Sequence, residues 1–192
     1  METKSMGPDQ LSDQKLMAEL QDGNQAALES LVDRYKSRLY NTIYRLILDR
    51  ETAEDILQET FLRVYRERKS YNYAYCFSTW VYTIALNLTK NELKRRSRRR
   101  LFGLVSGNNH SHSSEPTNGH LGYLLEQAIN DLPKRYKMVF VLRDVSQLSY
   151  EEIAQSLRIP IGTVKSRVNR ARLMLQAALK PKLDSYDQLW KS

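Results

Sequence analysis

The sequence predicts an all-α protein of two small helical domains joined by a flexible linker, the second a helix-turn-helix. Three observations carry this. Apolar residues recur with a 3.6-residue period over long runs, and 192 residues hold only 7 Gly and 5 Pro. Residues 101–120, LFGLVSGNNHSHSSEPTNGH, interrupt that period with Gly, Ser, Asn and His. A formal net charge of +8 favours an anionic partner such as nucleic acid. A single cysteine, Cys76, excludes an internal disulfide and suits a reducing cytoplasm. No signal peptide and no apolar run near a membrane span is read, so a soluble, intracellular protein without membrane insertion is expected.

Residues 1–10 are polar and are expected to be disordered. Ser12 or Asp13 can cap a short helix to about Asp22, which Gly23 ends. Asn24 caps a long helix to about Leu48, with an apolar stripe of Leu28, Leu31, Val32, Tyr35, Leu39, Ile43, Leu46 and Ile47. A third helix covers 50–68, with Asp49 or Glu51 and Glu54 near its positive N-terminus. Ala53, Ile56, Leu57, Phe61, Val64 and Tyr65 form its core stripe. The opposite face carries Asp55, Gln58, Glu59 and Leu62, at i, i+3, i+4 and i+7. A purely solvated face has no need of a leucine among carboxylates, so this set reads as a docking patch for a basic partner. The plainer reading is a solvated face with one exposed leucine, which is common.

Residues 69–76 break the period and form a loop dense in tyrosine, with Tyr71, Tyr73 and Tyr75. The fourth helix runs from Phe77 or Ser78 to about Arg98. Phe77, Trp80, Val81, Ile84, Ala85, Leu88 and Leu93 face inward. Asn87, Lys90, Asn91, Lys94, Arg95 and Arg98 lie on the other side at three- and four-residue steps. Between Lys90 and Arg100 stand seven Lys or Arg and one acid, Glu92. Such a face releases condensed counterions when it meets phosphates, which points to a polyanion rather than to simple solvation. The linker of 101–120 has a root-mean-square span of roughly 25 Å, enough for two domains to sit apart on a shared partner. His110, His112 and His120 with Cys76 lack metal-ligand spacing, so neither metal nor cofactor is expected.

The second domain covers 121–180, followed by a tail of 181–192. Leu124, Leu125, Ala128, Ile129 and Leu132 form one helical stripe. Pro133 suits the first turn of the next helix, which buries Met138, Val139, Val141 and Leu142. Ser149 and Glu152 make a capping box before a helix whose inner residues are Ile153, Ala154 and Leu157. A turn at 158–161 leads to a last helix from about Gly162, with Val164, Val168, Ala171 and Leu175 inward. This is a helix-turn-helix. Outward lie Thr163, Lys165, Ser166, Arg167, Asn169, Arg170 and Arg172, the donors and acceptors that read base edges and hold phosphates. No phosphate-binding glycine loop, nucleophile elbow or zinc-protease motif occurs, so no catalytic residue and no enzyme is expected.

With both halves read, the chain resembles the bacterial sigma factors of the extracytoplasmic-function (ECF) group in the sigma-70 family. The stretches LVDRYKSRLYNTIYRLI, TAEDILQETFLRVYR and FSTWVYTIALNLTKNELKRR resemble region 2, within 11–100. LPKRYKMVFVLRDVSQLSYEEIAQSLRIPIGTVKSRVNRARLML resembles region 4, within 121–180. The resemblance implies that Asp55, Gln58, Glu59 and Leu62 meet the β′ clamp helices of core RNA polymerase. Tyr71, Tyr73, Tyr75, Asn87, Lys90, Asn91, Lys94, Arg95 and Arg98 would hold the promoter −10 element, with the tyrosines as stacking surfaces for an unstacked base. Thr163, Lys165, Ser166, Arg167, Asn169, Arg170 and Arg172 would read the −35 element, and the second domain would meet the β flap. An anti-sigma factor and a bacterial cytoplasmic, nucleoid-associated location are also implied. Leu86, Asn91 and Arg158 depart from the arginine, aspartate and glycine common in the family. The rival reading, a stand-alone helix-turn-helix regulator, needs a dimer seam and a palindromic site. No heptad seam is present, and two basic surfaces suit an asymmetric, two-element site better.

Overall fold

The computed structural model describes residues 12–102 and 119–189. Among them it contains helices and no strand. The elements are α1 (Asp13–Gln21), α2 (Gln25–Ile47), α3 (Arg50–Arg66), α4 (Phe77–Leu101), α5 (Gly119–Asp131), α6 (Lys134–Phe140), α7 (Tyr150–Leu157) and α8 (Ile161–Leu189). A 3-10 turn (Arg68–Ser70) follows α3, and a π turn (Val141–Val145) follows α6. The 1–10 tail and most of the linker, with His110 and His112, lie outside the described residues.

The helix starts are local chemistry. Ser12, Asn24, Asp49 and Ser149 each accept a hydrogen bond from a backbone N–H of the first turn that follows. Each such cap contributes about 1 kcal/mol. At α7 the box is reciprocal: Ser149 Oγ accepts from Glu152 N, and Glu152 accepts from Ser149 N at 2.8 Å. Pro133 stands just before α6 as its N-cap rather than inside the first turn.

Several bounds differ from the sequence reading. The linker loses both ends to helix, because α4 continues to Leu101 and α5 begins at Gly119. The expected tail from 181 is helical to Leu189, with Pro181 inside α8. Leu125 is exposed, because Leu124, Ala128, Ile129 and Leu132 alone fill the inner face of α5. α3 gives way to the 3-10 turn after Arg66, since Arg68 turns its guanidinium back onto the Tyr65 carbonyl.

The core is continuous through both domains. α2 packs against α1, α3 and α4, and α8 packs against α5, α6 and α7. The halves join where α7 lies along α4 and the π turn meets α2. α4 is therefore buried on two sides: Val81 and Ala85 face α2 and α3 as the periodicity predicts, and Tyr82 and Leu86 are buried as well. The arrangement of the two domains, which the sequence leaves open, is direct packing here.

Arg158 ends α7 in the left-handed conformation, φ 55° and ψ 49°. A side chain there costs on the order of 1 kcal/mol relative to glycine. Arg158→Gly is expected to raise the thermal midpoint by about 2–4 °C, read by circular dichroism. An unchanged or lower midpoint contradicts the strain.

Candidate functional site

Three surfaces carry the chemistry. The first is the outer face of α3. Asp55 and Gln58 are exposed, and Leu62 is 42% exposed. The core stripe of α3 turns the other way, so the local period alone presents this face. Glu59 is half-buried and already paired: Arg63 Nε donates to it at 2.9 Å, and Arg66 lies at 3.8 Å. An exposed i,i+4 pair of this kind is worth only about 0.3–0.5 kcal/mol, so it can be exchanged for a partner's cation. Beside this face runs an open groove of about 630 Å³ between α2 and α3. Leu28, Val32, Leu57 and Leu62 line it, with Gln25, Glu29, Lys36, Glu54 and Gln58 at its edges. Periodicity marks the α3 side of this groove but not the α2 side, because Leu28 and Val32 fall on the apolar stripe of α2.

The second surface is α4 with the tyrosine loop. Asn87, Asn91, Lys94, Arg95 and Arg98 are exposed, and Lys90 is half-buried. Burial, then the neighbouring Lys94 and Arg158, hold Lys90 below its ordinary pKa. Arg95 and Arg96 both grip Glu92, at 2.7 and 2.9 Å. Burial pushes the Glu92 carboxyl up, yet these hydrogen bonds outweigh it and the net shift is downward. Arg96 also reaches Thr52 and the Ile47 carbonyl, so it ties α4 to the α2–α3 corner.

The three tyrosines are not equivalent. Tyr71 is 5% exposed and packs on Phe77 and Trp80, its hydroxyl donating to the Tyr75 carbonyl at 2.6 Å. Burial pushes that hydroxyl up to about 12. Here Tyr71 seals the domain and offers no open ring face, which leaves Tyr73 and Tyr75 of the three candidate rings. Tyr73 and Tyr75 are 42% and 48% exposed. Tyr73 donates to Gln21 Oε1, and Tyr75 lines a cleft with Asn72, Trp80 and Thr83. Period counting placed Trp80 in the core and so missed its part in this cleft.

The third surface is the start of α8. Lys165, Ser166, Asn169, Arg170 and Arg172 are exposed, while Thr163 and Arg167 are half-buried. Val164, Val168, Ala171 and Leu175 are buried, which fixes the rotation of the helix. Arg172 is held by Asp144 at 2.5 Å, and Lys165 lies over the Tyr150 ring at 5.9 Å. Among the described residues, no group of His, Cys, Asp and Glu is placed to hold a metal, and Cys76 is exposed. No described helix is long and apolar enough to cross a membrane.

The described residues thus present one acidic, leucine-bearing face and two basic helix faces on a helix-turn-helix protein. The comparisons give its family. Residues 31–99 match the family described as Sigma-70 region 2, and residues 123–175 match Sigma-70, region 4. The chain is 33% identical to the ECF RNA polymerase sigma-E factor of Haemophilus influenzae, over 90% of this chain and 98% of that one. It is 35% identical to the ECF RNA polymerase sigma factor SigW of Bacillus subtilis, over 86% and 96%. The fold matches the sigma factor RpoE solved with the anti-sigma factor NepR from Bartonella quintana, with a TM-score of 0.66 at 25% identity over 79% and 96%. CnrH, solved with the cytosolic domain of CnrY, shares the fold at a TM-score of 0.68 and 23% identity, over 88% and 97%. The chain belongs to the ECF RNA polymerase sigma factors of the sigma-70 family. Its activity is that family's: binding core polymerase and directing it to promoters.

Proposed function

We propose that Asp55, Gln58, Glu59 and Leu62, with the α2 wall of the adjoining groove, form the dock for the basic β′ clamp helices. The observation that carries this is the exposed leucine between carboxylates at the mouth of an apolar groove. Charge selects the partner and the groove takes its apolar side chains. On the same reading, Asn87, Lys90, Asn91, Lys94, Arg95 and Arg98 follow the −10 element. Tyr73 and Tyr75 are the rings that take an unstacked base, and Tyr71 supports them from behind. Thr163, Lys165, Ser166, Arg167, Asn169, Arg170 and Arg172 enter the major groove of the −35 element. The second domain meets the β flap, and the protein acts on the nucleoid in the cytoplasm without catalysing a reaction itself.

An anti-sigma factor, membrane-bound or soluble, sequesters the polymerase-binding surface. The match to a sigma factor solved with its anti-sigma factor supports this. Reconstitution tests the whole assignment: the purified chain is added to core polymerase and a two-element promoter fragment. Start-site-specific transcripts that vanish when either element is scrambled are expected. DNA binding of equal strength with and without core polymerase points instead to a stand-alone regulator.

A further inference from the structure

None of the three surfaces uses α1, yet α1 is a firmly held part of the first domain. Leu16, Met17 and Leu20 are buried. At its start, Asp13 accepts from Arg34 at 2.7 Å and from the Tyr35 hydroxyl, which ties α1 to the middle of α2. Its far end lies beside the 3-10 turn that opens the tyrosine loop. There the last helical residue, Gln21, reaches two points 47 and 52 residues further along the chain. Its Nε2 donates to the Arg68 carbonyl at 2.7 Å, and its Oε1 accepts from the Tyr73 hydroxyl at 2.8 Å.

The partners fix the polarity of that amide. A carbonyl can only accept, so the amide nitrogen faces Arg68. The amide oxygen is left for the phenol, which therefore donates. A carboxamide supplies both roles in one planar group. A carboxylate in its place would repel the Arg68 carbonyl, and a shorter amide would lose one methylene of reach.

The two bonds bracket Tyr71. The Arg68 carbonyl also accepts from Tyr71 N at 3.3 Å, so Gln21 supports the turn that delivers Tyr71 to the Phe77–Trp80 cluster. Beyond it, the backbone turn is held by Asn72, whose carbonyl accepts from Tyr75 N at 3.1 Å and whose Oδ1 accepts from Ala74 N at 2.9 Å. The Tyr73 side chain has other supports. Its ring meets Tyr71 edge-on, with centroids 5.0 Å apart and planes at 69°, and its hydroxyl is tied to Gln21. A tyrosine that is 42% exposed can change rotamer unless its far end is held. Gln21 holds that end. A ring that stacks on an unpaired base gains most when it is already in place, because ordering it on capture subtracts from the stacking.

We propose that Gln21 is a positioning residue for strand opening: α1 is a brace whose terminal carboxamide fixes the 3-10 turn and the Tyr73 ring, so that the ring stands ready for the unstacked base. The inference rests on the assignment of Tyr73 and Tyr75 as the base-receiving rings. It gives α1 a part in promoter melting that needs no contact between α1 and DNA.

Gln21→Met tests it, because methionine keeps the length and the helical stem and removes both bonds. Full-length protein is combined with core polymerase, and opening is followed by a fluorescent adenine analogue in the non-template strand of the −10 element. Each neutral bond of this kind is worth a factor of roughly two to ten, so opening of duplex promoter should slow by about threefold or more. Capture of core polymerase and the thermal midpoint should stay at wild-type values, and a pre-melted bubble should remove most of the deficit. Tyr73→Phe keeps the ring and loses the hydroxyl. Because the two residues act through one bond, Gln21→Met/Tyr73→Phe should open no more slowly than the slower single variant. Opening by Gln21→Met at the wild-type rate overturns the brace. So does a loss equal on duplex and bubble, or one that multiplies with the Tyr73→Phe loss. Should Gln21→Met lower the thermal midpoint, Tyr73→Phe carries the test alone, since it breaks the bond from the exposed side, and wild-type opening by it overturns the brace. Normal opening by Tyr73→Ala/Tyr75→Ala overturns the ring assignment and the brace together. Slow opening there, with wild-type opening by Gln21→Met, overturns the brace alone.

Discussion

Asp55→Lys/Glu59→Lys protein is expected to fold normally and to lose core polymerase binding. The two side chains sit opposite Ala53, Ile56, Phe61 and Val64, all buried, so reversal of the outer charge leaves the packing of α3 untouched. Asp55 is exposed, and Glu59 is held only by Arg63 and Arg66. In the unbound protein such pairs are worth a few tenths of a kcal/mol. In a desolvated interface the balance changes, because truncating one partner strands the other charge and costs 2–5 kcal/mol. That is roughly 30-fold to several thousand-fold in affinity for one position. Lysine adds repulsion from a basic partner, so two reversals exceed this range. Leu62→Glu attacks the same dock through its apolar part, burying a carboxylate at the mouth of the groove. The measurement is a pull-down of core polymerase by each variant, with circular dichroism and thermal midpoint as controls on folding. Folded double-lysine protein that captures core polymerase at wild-type strength disproves the dock.

How much of this was legible depends on how many partners each helix has. α2 and α8 bury one stripe each, and Leu31, Leu39, Ile43, Val164, Val168 and Ala171 were assigned correctly from spacing alone. The capping box at Ser149 was legible because its two bonds are local. α4 was only half legible. Periodicity finds the first buried face, and a second one formed by a distant segment leaves no separate period. Tyr82 and Leu86 therefore fell outside the expected core. The same limit explains the tyrosine loop. Composition offers three candidate rings without choosing among them, whereas the fold spends Tyr71 on the Phe77–Trp80 cluster and leaves Tyr73 and Tyr75 outside. Arg158 stands where the resembling family commonly has glycine, and the backbone there is left-handed. On the outer face of α3, spacing groups Asp55, Gln58, Glu59 and Leu62 but does not reveal Arg63, whose pairing with Glu59 depends on side-chain reach.

The Arg167→Ala/Arg170→Ala variant should lose upstream-element binding while its attachment to core polymerase stays near wild type. Both residues stand on the first half of α8, whose rotation is fixed by Val164, Val168 and Ala171 packing inward. Arg170 is exposed and Arg167 half-buried, so both side chains remain accessible to a partner laid along α8. An arginine that reads guanine through two hydrogen bonds contributes about 1–3 kcal/mol of discrimination. Loss of both should therefore lower affinity for the upstream element by roughly 30-fold or more, if the two contributions add. A phosphate contact behaves differently, weakening all sequences alike and lowering the salt slope by about one per cation. Arg172 supplies the internal comparison. Its guanidinium is held by Asp144 at 2.5 Å, so it is partly committed within the domain. Arg172→Ala should cost less specificity than either neighbour, and Asp144→Ala should free the arginine and strengthen non-specific binding. The checks are footprints over both elements and a salt titration of binding for each variant. Unchanged upstream footprints for Arg167→Ala/Arg170→Ala would place the reading face of α8 elsewhere on the helix.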